Sequence, residues 1–254
     1  MIKIKKLCGG YGKRQIITDI NAEFKEGIIT TLVGVNGCGK STLLQHCAGL
    51  LKPFSGDIFV GKADISRIKR IELAKEISYL PQTRTAGSIT VRSFVSHGRF
   101  PYLGYPRRYG KTDKEKIDYA MKLADVSELS EKMVSELSGG QQQKVYIAML
   151  LAQDTDIILL DEPVTYLDII HQLELMELIK RLKSMGKTIV MVLHDLNFAL
   201  TYSDMVYVME NGRIIENGTP QRIIESNIFK KAFGVETIYE PESGQYFFRK
   251  CEVK

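Results

Sequence analysis

Thr30-Thr31-Leu32-Val33-Gly34-Val35-Asn36-Gly37-Cys38-Gly39-Lys40-Ser41-Thr42-Leu43-Leu44 decides the reading of this chain. A β-rich apolar run ends at Gly34, a glycine-bearing loop follows, and Lys40 opens a run with helical spacing at Leu43, Leu44 and Cys47. The spacing fits G-x-x-x-x-G-K-[ST] between a strand and a helix. Glycines let successive backbone N–H groups turn inward around an anion with no Cβ in the way, and the helix N-terminus adds partial positive charge. Residues Gly34, Val35, Asn36, Gly37, Cys38, Gly39, Lys40, Ser41 and Thr42 therefore form the expected phosphate cradle. Lys40 is placed to reach the β- and γ-phosphates of a nucleotide, and the Ser41 hydroxyl to ligate Mg²⁺. The dinucleotide fingerprint G-x-G-x-x-G is excluded, because its third glycine falls on Thr42.

The 254 residues suffice for one large domain, or a core with a smaller lobe, around a substantial core. An apolar content of 44% and a charged content of 26% are ordinary for a globular protein. No apolar run approaches the roughly 20 residues that cross a bilayer. Met1-Ile2-Lys3-Ile4-Lys5-Lys6-Leu7 alternates like a strand and lacks the apolar core of a signal peptide. Cys8, Cys38, Cys47 and Cys251 form no close pair, so neither a zinc site nor a disulfide framework is expected; reduced thiols in the cytoplasm are. Cys38, inside the loop, reads either as a thiol activated by the helix end or as an inert small residue. The net charge of +5 is mild, and the basic patch Arg107-Arg108-Tyr109-Gly110-Lys111 reads as a solvated surface.

Along the chain, residues 1–33 read as several strands, with Tyr11 between the first two in Gly9-Gly10-Tyr11-Gly12. Short strands follow at 56–61 and 77–80, the latter ending at Pro81-Gln82. Residues 88–152 turn helical (Ile117, Ala120, Met121, Ala124), with a loop from 100 to 110. The pattern then alternates: strand 157–160, helix 173–182, strand 188–193, helix from Asp195, strand 205–209, and a further strand after Gly212. Such alternation predicts an α/β fold with a parallel sheet covered on both faces. Ligands of such sheets bind beyond the carboxyl ends of the strands, where Gly34, Asp161 and His194 all fall and are expected to converge.

Four aliphatic residues, Ile157-Ile158-Leu159-Leu160, lead into Asp161-Glu162. A buried strand carries both acids to the sheet edge, where Asp161 can hold Mg²⁺ and Glu162 can accept a proton from an attacking water. Leu137-Ser138-Gly139-Gly140-Gln141-Gln142-Gln143 precedes another helical run, and Ser138 resembles an N-cap. Local physics permits an ordinary capped helix or a second phosphate-recognition surface there, and does not choose.

Leu-Ser-Gly-Gly-Gln about twenty residues before an aliphatic-Asp-Glu strand, and behind a phosphate loop, resembles the signature motif of the ATP-binding-cassette (ABC) ATPases, over essentially the whole chain. The resemblance implies a phosphate-loop NTPase core with a mixed sheet, an N-terminal antiparallel β subdomain and an inserted helical lobe. The implied bounds are 1–86 and 154–220 for the core, 87–153 for the lobe and 221–254 for a C-terminal tail. ATP and Mg²⁺ are implied. So are roles for Tyr11 (stacking on adenine), Gln82 (sensing Mg²⁺ and the attacking water), Leu167-Asp168 (crossing a dimer interface) and His194 (contacting the γ-phosphate). In the family's arrangement two copies sandwich ATP, and Ser138, Gly139, Gly140 and Gln141 of one cap the γ-phosphate held by the other. The chain departs from the family pattern at Gln142 and Lys144, where arginines are usual, and at Val164, where threonine is usual.

Ser96-His97-Gly98-Arg99-Phe100-Pro101-Tyr102-Leu103-Gly104, with the tail segments Phe229-Lys230-Lys231-Ala232-Phe233-Gly234-Val235 and Gly244-Gln245-Tyr246-Phe247-Phe248, resembles importers of ferric siderophores, haem and cobalamin. That implies a separate permease docking on residues 83–110, with Arg99 and Tyr102 as contacts. It also implies a second copy of the chain, an indirectly coupled substrate-binding protein, no nucleic acid, and a peripheral place on the cytoplasmic face of the plasma membrane. The alternatives are a cassette ATPase of another transporter class or outside transport, and a phosphate-loop kinase, which lacks the signature.

Overall fold

The computed structural model describes residues 1–82, 87–165, 167–241 and 245–251. In chain order the strands are β1 (Ile2–Tyr11), β2 (Arg14–Phe24), β3 (Ile29–Gly34), β4 (Ser55–Val60), β5 (Ala63–Asp64), β6 (Ile77–Leu80), β7 (Ile157–Asp161), β8 (Thr188–Val192), β9 (Met205–Glu210), β10 (Arg213–Gly218), β11 (Val235–Glu240) and β12 (Gln245–Lys250). The helices are α1 (Lys40–Cys47), α2 (Arg70–Glu76), α3 (Val91–Ser96), α4 (Lys111–Leu123), α5 (Gly139–Ala152), α6 (Ile169–Ser184), α7 (Leu196–Tyr202), α8 (Pro220–Glu225) and α9 (Ile228–Phe233). Two compact units emerge, Met1–Ile68 with Thr188–Lys254, and Lys69–Lys187.

In the first unit, β2-β1-β4-β5 make an antiparallel sheet. Period-two alternation sets its faces: Ile2 and Ile4 are buried while Lys3 and Lys5 are exposed. Tyr11 is not between strands as expected but the last residue of β1, opposite Arg14. Glycines let β1 run that far. A side chain on Gly9 would strike the His46 ring, and one on Gly10 the Arg14 carbonyl. The same unit holds β3 between β8 and β9, parallel to both, with β10 antiparallel at the edge of β9. Every residue of β3 and β8 is buried, which is why both read as continuous rather than alternating apolar runs. The tail folds as α8, α9 and the hairpin β11–β12, whose registered pair Tyr239–Tyr246 stacks at 5.1 Å; Gly244 of the expected tail motif lies outside the described residues.

In the second unit β6 and β7 pair in parallel, Ile77 opposite Ile157 and Leu80 opposite Leu160. A parallel pair needs a crossover. Here α3, α4 and α5 supply it, which accounts for the helical run in the sequence between the two strands. Phe94 of α3 meets Tyr146 of α5 edge-on at 5.0 Å. Gln153 anchors the end of α5 by donating to the carbonyls of Ala74 (2.6 Å) and Ile77 (3.1 Å). Helix α6 starts four residues earlier than the apolar period suggests, because Asp168 caps it, and the added turn presents the exposed Ile169 and Ile170.

One expectation is corrected by this unit. Arg99 is not a docking surface: it is buried, pairs with Asp113 at 3.0 Å, donates to the Ala152 carbonyl at 3.0 Å, and lies 3.9 Å over the Tyr102 ring. A guanidinium so satisfied is a fastening of the lobe, and its removal leaves the half-buried Asp113 carboxylate without its cationic partner. Tyr102 carries that cation on its face, at 37% exposure. Of the remaining expected docking segment, residues 83–86 lie outside the described residues.

Candidate functional site

The phosphate loop is shaped by glycines that nothing else could replace. A Cβ on Gly34 would collide with the Met209 carbonyl on the neighbouring strand and lie 2.6 Å from Cys38 Sγ. Gly39 has φ +105°, and its Cβ would lie 2.7 Å from an Ile17 methyl. Val35, Asn36 and Gly37 form the exposed rim, and Gly37 (φ +80°) faces open space. Lys40 is buried, and its ammonium donates back to the carbonyls of Gly34 (2.8 Å) and Val35 (3.2 Å). A cation folded onto its own loop by neutral carbonyls sits where a polyanion supplies the missing countercharge, so the cradle fits a phosphate chain. Burial pushes the Cys38 thiol above its ordinary value despite the pull of Lys40, the opposite of activation by the helix end.

Tyr11 stands beside this loop with 46% of its surface exposed. Its hydroxyl donates to Gln45 Oε1 at 3.2 Å and accepts from Thr42 Oγ1 at 3.4 Å, so the ring is fixed to α1 while a face remains open to a flat ligand. Leu32 pairs with Val192, so Gly34 and the exposed His194 emerge two residues beyond paired positions, at the same edge of the sheet. Asp195 holds the turn after His194 by accepting from the N–H groups of Asn197 (2.7 Å) and Phe198 (3.2 Å).

In the second unit, the register of β6 on β7 brings Gln82 and Glu162 out at one end. Gln82 Nε2 donates to Glu162 Oε2 at 2.6 Å, and Thr165 Oγ1 donates to the same oxygen at 3.2 Å. Glu162 adopts φ +51°, uncommon for a residue with a side chain, and is buried. Asp161, 1% exposed, accepts from the Tyr79 hydroxyl at 3.1 Å. Neither Tyr79 nor Thr165 stood out in the sequence, since a hydroxyl one strand away carries no spacing signal.

Ser138 caps α5 in a reciprocal box: its hydroxyl accepts from the Gln141 N–H (3.3 Å) while Gln141 Oε1 accepts from the Ser138 N–H (3.2 Å). Ser138 and Gly139 are exposed. Both departures behind the signature have partners. Gln142 donates to the Leu137 carbonyl at 3.1 Å, and Lys144 pairs with Glu174 (2.9 Å) and Asp125 (3.7 Å). Val164 is buried. Gln143, the last residue of the signature stretch, has a partner that its spacing does not announce: it donates from the core of α5 to the Pro163 carbonyl, next to Glu162. Asp168 caps α6 through the His171 N–H at 3.0 Å, and that bond holds its carboxyl below the usual range.

In the first unit Ser41 offers a hydroxyl, and in the second Asp161 offers a buried carboxylate and Gln82 an amide oxygen, each a hard oxygen donor of the kind Mg²⁺ accepts. Among the described residues no group of three or more His, Cys, Asp or Glu could hold a metal alone. A lone buried carboxylate such as Asp161 is the chemistry of an ion shared with substrate phosphates rather than of a protein cage.

A family model described as ABC transporter matches residues 17–165, more than half of the chain. The chain belongs to the ABC transporter family. This cassette is 40% identical to the iron(3+)-hydroxamate import ATP-binding protein FhuC of Bacillus subtilis (strain 168), over 96% of the chain and 92% of that protein. It is 38% identical to the ferric enterobactin transport ATP-binding protein FepC of Escherichia coli (strain K12), over 94% and 90%. Among solved structures, the dimeric bacterial cassette MJ0796 superposes with a TM-score of 0.77 at 29% identity, covering 87% of this chain and 99% of that one. The α/β architecture, mixed sheet and N-terminal antiparallel sheet are thus those of cassette ATPases.

Proposed function

We propose that this cassette binds and hydrolyses ATP to drive import of an iron–siderophore chelate through a separate membrane permease. The observation that carries hydrolysis is Glu162, a buried carboxylate at the end of an aliphatic strand whose side chain Gln82 and Thr165 hold in place. In this reading Tyr11 stacks on the adenine, and the N–H groups from Gly34 to Thr42 surround the β- and γ-phosphates. Lys40 turns its ammonium from the loop carbonyls to phosphate oxygens. Ser41, Asp161 and Gln82 would hold Mg²⁺, which when bound neutralises charge on the phosphate oxygens. Glu162 takes a proton from a water as its oxygen bonds to the γ-phosphorus and the bond to the β–γ bridging oxygen breaks, releasing ADP and phosphate. His194 meets the γ-phosphate.

The signature turn is the second half of a sandwich. Ser138, Gly139, Gly140 and Gln141 of one copy face the triphosphate held by another, with Asp168 crossing between copies. The dimeric neighbour supports this pairing. The γ-phosphate bridges the two copies; hydrolysis removes it and the dimer opens, a switch of the order–release type. Among the described residues no helix is long and apolar enough to cross a membrane. In this reading the transport path lies in a separate permease. Iron chelate as cargo follows from relatives whose names specify iron(3+)-hydroxamate and ferric enterobactin, two different ligand chemistries, and a cassette that never touches the cargo fits both. A substrate-binding protein that delivers the chelate, and a peripheral place on the cytoplasmic face, complete the proposal.

Glu162→Gln tests it. The variant is expected to keep ATP affinity within about threefold, lose at least about 100-fold in turnover, and elute as a dimer with ATP and Mg²⁺. Unchanged turnover, or a monomer at saturating nucleotide, would contradict it.

A further inference from the structure

We propose that His171 is a positioning residue that sets the distance between the Asp168 loop and the signature turn. Its ring does two things at once. Nδ1 lies 2.7 Å from Asp168 Oδ1, and a face of the ring lies against Gly140, where a Cβ would come within 2.8–2.9 Å of Cδ2, Cγ and Nε2. The Asp168 carboxylate, held in its ionised form, can only accept, so Nδ1 is the donor and the tautomer is fixed. A ring held by one hydrogen bond has a defined plane, and Gly140 has no side chain because that plane fills the space. The imidazole is therefore the spacer between two segments that the proposed sandwich presents to the other copy.

This role is separable from folding. The cap of α6 uses the His171 backbone N–H, which any residue retains, and the His171 side chain is 34% exposed. Removing the ring leaves α6 capped by the bond from the His171 N–H to Asp168 Oδ1, deletes the second bond that oxygen accepts from Nδ1, and opens a gap beside Gly140 into which the signature turn can shift. Displacement of a positioned group by about an ångström is enough to slow a reaction about 100-fold while leaving substrate binding in place. ATP binding, which the phosphate loop governs, is expected to be spared.

The inference rests on the proposed ATP sandwich, and the test separates the two. ATPase kinetics and melting temperature are measured on the full chain as wild type, His171→Ala and His171→Asn, with the amide of Asn offering a donor near the place of Nδ1. Expected are a fall in kcat of about five- to fiftyfold in His171→Ala, a KM for ATP within about twofold, an unchanged melt, and recovery of at least half the loss in His171→Asn. His171→Ala turning over like wild type, Asn failing to recover, or a kcat loss that tracks a lowered melting temperature would overturn the role. Absence of ATPase in the wild type would instead remove the proposed function.

Discussion

The phosphate loop and the signature turn are both glycine-bearing helix N-termini, and they are built in opposite ways. The loop before α1 is closed: Gly34 and Gly39 are glycines because backbone and side chains of the same unit crowd them, and Lys40 is folded inward. The turn before α5 is open: Ser138 and Gly139 face solvent, nothing lies within 4 Å of a Cβ on Gly139, and only Gly140 meets a neighbour, the His171 ring. A closed cradle organises its ligand by itself. An open turn presents N–H groups and helix dipole to whatever is brought against it. The contrast is what a half-site on each face of a dimer requires.

Single-atom changes sharpen this difference. Gly39→Ala adds a methyl at φ +105° against Ile17, and about 10- to 100-fold weaker ATP binding is expected by nucleotide titration. Binding unchanged within about twofold would mean that the loop is not the rigid cradle described.

A smaller effect concerns the helix behind the loop. His46 of α1 is fully buried, with Nδ1 at 3.2 Å from the Leu51 carbonyl and Nε2 without a partner among the described residues. Burial lowers its pKa below 6.5, so the folded chain binds fewer protons than the unfolded chain as pH falls through that value. Stability is therefore complete above about pH 6.5 and declines below it. The melting temperature should fall between pH 7.5 and 5.5, and fall less in His46→Leu. Equal slopes would show that His46 is not the group responsible.

The same contrast explains what the sequence disclosed. The closed loop was legible residue by residue, because its glycines, Lys40 and Ser41 are dictated by contacts within a dozen residues and a few neighbouring strands. The pair Asp161-Glu162 was legible because a buried parallel strand reads as an unbroken aliphatic run ending in acids. The signature was not legible from local physics, since a capped helix and a phosphate surface look alike until a partner is known; only the resemblance chose. The roles of Gln143, Thr165, Tyr79 and His171 went unseen because each acts through a contact made by tertiary packing or by a turn whose geometry no period records. Arg99 was misjudged for a related reason: an arginine in a loop-like stretch reads as surface until Asp113 and the Ala152 carbonyl are folded around it.

The most direct measurement mixes two defective chains. Lys40→Ala disables the closed half-site. Gly139→Asp disables the open one, since the space there admits a side chain and its carboxylate repels phosphate. Each alone should be inactive. Mixed in equal amounts, half the dimers carry one intact composite site, and about a quarter of the wild-type ATPase rate should return. A mixture as inactive as its components would contradict a site shared between two copies.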